Sequence, residues 1–349
     1  MEGFPSEIVL GIAECLDSKS LLNLMLANKQ LHALISNHER SISTNIVSNF
    51  VIPPIGTVLS SEMFMRRPVT EGTFQMAAEI AKRDTHTEGV LNSDFVKRSM
   101  PARFESSSAE QKQVLHALLK KAILQCNHIA DIAVKSPCRP MNEMCYNWMK
   151  GKFFEPRDLP LGYRLMDPCT NMGARASQRE YLTTLAKEEI AMIYFLVTTL
   201  SWGFFLDNFD LAHADTNFPE RQVVFKECVL RHGSWFAWSH ILGDGAWKSM
   251  ADKVQKIGWT ELVSFELGDE DTPPSLHSTL VERFNELYMS DPSAWDGTTN
   301  GQVNVLSQVV YDLVTGDEKE EKPAEKSAEE IAEEVVMELL EAAVEEAGE

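Results

Sequence analysis

Apolar residues recur at helical spacing along most of this chain, and polar or proline-bearing breaks cut the pattern into elements. Pro5 and Ser6 open a first short helix, with Glu7 at the positive end of its dipole. Ile8, Val9, Ile12, Ala13 and Leu16 follow at helical spacing. Asp17 and Ser18 interrupt as a cap does, and Leu21, Leu22, Leu24, Met25 and Leu26 make a second, almost wholly apolar helix. Asn28 interrupts again, before a third helix with Leu31, Leu34 and Ile35 on one face. Farther on, Ser108 caps a long helix carrying Val114, Leu115, Leu118, Leu119, Ile123 and Leu124. Another runs from about Gln178 into residues 190–206, which carry no charge. Shorter helices are predicted over 221–231, 246–256, 276–288 and 303–314, with a strand-like alternation at Trp259, Val263, Phe265 and Leu267. No period of 20–50 residues repeats along the chain.

This pattern predicts a mainly α fold in three parts: a helical trio over 1–42, a non-repeat helical domain over 43–315, and an acidic segment over 316–349. In the last part a lysine–glutamate run with Pro323 reads as a solvated linker. Ser327 and Glu330 then form a capping box ahead of Ile331, Val335, Leu339 and Ala343, which step by four residues through flanking glutamates. Such an amphipathic acidic helix docks either on its own body or in a partner's groove.

Charge sharpens the division. The 349 residues hold 52 acidic and 32 basic side chains, a net of −20. Residues 316–349 contribute 14 acids and 3 lysines, so −11 belongs to the tail and −9 to the rest. A chain this anionic does not neutralise phosphates, which argues against a general nucleic-acid binder. With 44 % hydrophobic and 9 % aromatic residues it has ample material for a core. Residues 190–206 fall just short of a bilayer span and are flanked by Glu188, Glu189, Asp207 and Asp210, so a buried core helix and no membrane partner are expected. The six cysteines form no paired framework, and the first 15 residues lack the basic start of a secretory signal. Both point to a reducing interior, cytoplasmic or nuclear.

Catalytic and metal motifs are missing. There is no G-x-S-x-G, H-E-x-x-H, P-loop or G-x-G-x-x-G. Cys126, His128, Cys138 and Cys145 match no tight zinc spacing, and Asp269, Glu270 and Asp271 lack the pattern of a calcium loop. No catalytic residue, cofactor or metal is assigned. Four of the seven tryptophans cluster around Phe236, as Trp235, Trp238, Trp247 and Trp259. Trp235, Trp238 and Trp247 are candidates for a recognition patch, although the spacing of Trp235 and Trp238 suits core filling equally.

The opening trio is the most informative feature. Some 40 residues sit near the lower limit for an independent core. Yet Val9 and Leu10 stand beside Ile8 and Ile12, and residues 21–26 leave almost no polar side. That surplus must be covered by the rest of the chain or by another protein. Phe4-Pro5-x-Glu7-Ile8, Ile12, Leu16-Asp17, Leu21-Leu22-x-Leu24, Asn28-Lys29 and Leu31-His32-x-Leu34-Ile35 together resemble an F-box, in particular the one that opens many filamentous-fungal proteins. The main departure is Phe4 where the family usually has leucine. The resemblance covers about the first 40 residues and implies an adaptor of an SCF-type ubiquitin ligase that binds a Skp-family linker and, through it, a cullin. Carried over position by position, it puts Phe4, Pro5, Ile8, Leu16, Leu21, Leu22 and Leu24 at the linker interface and Ile12, Leu31, Leu34 and Ile35 in the seam of the trio. The remaining residues would hold an unknown protein substrate. A scaffold acting outside a ligase and a helical enzyme without a recognisable motif are the alternative classes.

Overall fold

The computed structural model describes residues 5–62, 68–135, 174–267, 274–289 and 299–316. The fold is mainly α. The first helices are α1 (Ser6–Glu14), α2 (Ser18–Ala27), α3 (Lys29–Asn37) and α4 (Glu39–Ser48). A short antiparallel hairpin, β1 (Thr57–Leu59) with β2 (Pro68–Thr70), pairs Val58 with Val69. Then come α5 (Phe74–Leu91), α6 (Asp94–Ser99), α7 (Ala109–Lys135), α8 (Arg175–Thr184) and α9 (Lys187–Asp207). The chain continues through α10 (Phe209–Ala214), α11 (Phe218–Ile241), α12 (Gly245–Glu266), α13 (Leu276–Tyr288) and α14 (Thr299–Thr315).

The helix ends follow from local chemistry. Asp17 Oδ1 accepts from the backbone amides of Lys19 (2.9 Å) and Ser20 (2.8 Å), and Asn28 Oδ1 accepts from those of Gln30 (2.7 Å) and Leu31 (2.9 Å). Each side chain satisfies donors that a helix start leaves orphaned. At α7, Ser108 Oγ accepts from the Gln111 amide (3.1 Å) while Gln111 Oε1 accepts from the Ser108 amide (2.9 Å), a reciprocal cap.

The large core is organised around α9, which is apolar on every side, with Ile190–Val197 buried without interruption. Helices α6, α7, α11, α13 and α14 all pack on it. Among the described residues α9 alone is long and apolar enough to cross a bilayer, with a mean hydropathy of 1.6 over 18 residues, and 72 % of that window is buried inside the protein. The smaller core joins α1–α5 to the hairpin through Ala13, Leu21, Ile35, Ile42, Ile46, Val47, Val58, Val69, Met76, Ala77 and Ile80.

Four sequence expectations change. The predicted boundary at residue 42 falls inside α4, whose Ile42 and Ile46 belong to the same core as Ile35. The helix expected from Gln178 onward is two helices, because Leu185 and Ala186 are extended between α8 and α9. The expected strand at 259–267 is the second half of α12: Trp259 and Leu262, three residues apart, pack on the large core, and that register belongs to a helix. The predicted helix over 221–231 extends to Phe218–Ile241, with one non-helical residue, Gly233, inside it. The acidic segment beyond 316, and with it the expected terminal helix, lies outside the described residues, as do the acids at 269–271.

A buried ionic network ties the hairpin to α5 and α7. Arg83 Nε donates to Glu79 (2.8 Å), and its two terminal nitrogens donate to Asp131 (2.7 and 3.0 Å) and to the Leu59 carbonyl. Asp131 Oδ1 in turn accepts from the Leu59 amide (2.9 Å), and Glu79 accepts from the Ser61 amide (2.9 Å) and hydroxyl (3.2 Å). Every charge is met, as a network at this depth requires. Its geometry fixes the small core on the large one.

Candidate functional site

On α1 the apolar positions divide between two faces. Val9 and Ala13 are buried, with Leu10 and Leu16 packed beside them on the small core. Ile8 (49 % exposed), Gly11, Ile12 (50 %) and Cys15 occupy the other side at i, i+3, i+4 and i+7 and face solvent. A methyl group added at Gly11 would meet nothing within 4 Å, so the chain's own packing does not ask for glycine there. A glycine in a helix interior costs about 1 kcal/mol relative to alanine. On α2 the same division appears: Leu21 is buried, Leu24 and Met25 pack on the core, and Leu22 (54 %) and Leu26 (71 %) are exposed.

Several residue assignments change accordingly. Pro5, Ile8 and Leu22 are exposed, as an interface requires. Leu21, expected at the interface, is 3 % exposed and seals α2 against the small core, while Leu16 and Leu24 are half-buried there. Ile12, expected in the seam, is open to solvent. Leu31 and Ile35 are buried and Leu34 is half-buried. Phe4 lies outside the described residues. Sequence reasoning overlooked Gly11, although its place between two isoleucines one helical turn apart was a signal.

The tryptophans also separate. Trp235 is buried and is core, not a recognition residue. Trp238 and Trp247 are half-buried and meet edge to face, with ring centroids 5.7 Å apart and planes at 86°. Trp238 stacks on His86 of α5 (4.4 Å, 12°), and the Lys82 ammonium stands 5.3 Å from the centre of the Trp247 ring. Leu242, 45 % exposed, flanks the pair.

Among the described residues no group of three His, Cys, Asp or Glu side chains is placed to hold a metal ion. Cys126 is buried on α7, with its thiol pushed up to about 12 by burial, and the His128 ring lies against Tyr181. Cys138 and Cys145 lie outside the described residues. Ser234 donates through its amide (2.8 Å) and hydroxyl (3.0 Å) to Asn127 Oδ1, tying α11 to α7 inside the core.

Three imidazoles, His86 buried and His240 and His277 half-buried, give the fold a pH dependence. Burial, followed by the charges of Lys82 and Arg83, depresses His86 to about 4. Burial likewise takes His240 to about 4, and burial followed by the charge of Lys226 takes His277 to about 3. The unfolded chain binds these protons below about 6.5 and the folded chain does not, so stability falls as pH drops from there toward 4. Each imidazole contributes about 1.4 kcal/mol per pH unit across that window. The urea midpoint is therefore expected to drop clearly between pH 7.5 and pH 5.5; equal midpoints would show that the fold does not hold the three rings neutral.

No family model matches the chain, and neither a curated protein nor a solved structure matches it.

Proposed function

We propose that this chain is the substrate-recognition adaptor of an SCF-type ubiquitin ligase, working in the cytoplasm or nucleus. Its opening helices dock on the helical end of a Skp-family linker, and a cullin joins through that linker. The observation that carries this reading is the exposed Ile8–Gly11–Ile12–Cys15 face of α1, whose opposite side is already sealed into the protein. Apolar surface arranged at helical spacing on a short helix suits a helix-to-helix contact. The mechanism is positional. The adaptor holds a protein target beside a charged ubiquitin carrier and raises its effective concentration there, so no residue of this chain needs to make or break a bond. The buried Arg83 network supports the same role, because it gives the docking helices a fixed direction relative to the body.

The test is reconstitution. Purified full-length chain, a Skp-family linker and a cullin are expected to co-elute in gel filtration as one complex. Elution with the linker but without the cullin would replace the ligase with a scaffold, and elution alone would overturn the docking assignment.

A further inference from the structure

We draw no further inference here: the strongest candidate, the exposed aromatic surface patch at the end of α9 where Trp202, 49 % exposed, stacks on Phe205 with ring centroids 4.9 Å apart, carries nothing because nothing in the structure shows what covers it.

Discussion

Aspartate at both Ile12 and Leu22 is expected to abolish binding to a Skp-family linker while the chain stays folded. Both side chains are about half exposed on faces that turn away from the small core, so a charge there costs the folded protein little. Surface substitutions of this kind usually stay within about 0.5 kcal/mol. In a complex each aspartate would have to be desolvated against an apolar partner surface, on top of losing an anchor. Two such losses of about 2 kcal/mol or more each lower affinity roughly a thousandfold. Isothermal calorimetry measures the binding, and thermal melting supplies the control. Gly11→Leu separates docking from stability: it raises the helix propensity of α1 by about 1 kcal/mol yet puts bulk where a partner backbone would approach. It should bind more weakly while melting no lower than wild type. Leu21→Ala should do the reverse, losing about 2–5 kcal/mol of stability from a buried site while leaving the exposed face in place. Wild-type affinity in the Ile12→Asp, Leu22→Asp chain would place the interface elsewhere.

The exchange of Ile12 and Leu21 between core and surface marks how far the sequence alone reaches. Helical spacing established that α1 and α2 exist and where they end, because caps such as Asp17 and Asn28 act through neighbours two or three residues away. It did not orient them. Both helices are apolar on two sides, and the side that faces inward is chosen by Ile42, Ile46, Met76 and Ile80, which lie tens of residues downstream on α4 and α5. The same limit explains the tryptophans. Trp235 and Trp238 are three residues apart, but whether each is core or surface depends on α5, which contributes His86 beneath Trp238. The misread strand at 259–267 has a related cause, since the register of Trp259 and Leu262 is set by the core they meet. Of the Arg83 network only the Glu79–Arg83 pair, four residues apart on α5, is local; Asp131, Leu59 and Ser61 join it only once the hairpin and α7 are in place.

Among the described glycines, Gly233→Ala should be the most damaging methyl group to add. Gly233 interrupts α11 with φ 57° and ψ −142°, a conformation close to the region reserved for glycine. A Cβ there would lie 2.1 Å from Asn127 Oδ1 and 2.7 Å from the Asn127 backbone nitrogen. A flexible side chain can yield, but backbone cannot, and α7 is held at this level by the buried Ile123 and Ile129. Displacing Asn127 would also strip the Ser234 amide and hydroxyl of their shared acceptor. Backbone strain costs about 1–3 kcal/mol, overpacking another 1–3, and a buried unsatisfied donor a further 1–3. Together these are comparable to the whole stability of an ordinary domain, about 5–15 kcal/mol. The expected result is an insoluble chain, or one whose melting temperature falls by about 10 °C or more. Asn127→Ala alone removes the acceptor without the clash and should cost less. In a double-mutant cycle the Gly233→Ala penalty should shrink in the Asn127→Ala background, because the shortest contact has gone while the backbone contact remains. If Gly233→Ala melts within a few degrees of wild type, the break in α11 is not held against α7 in solution.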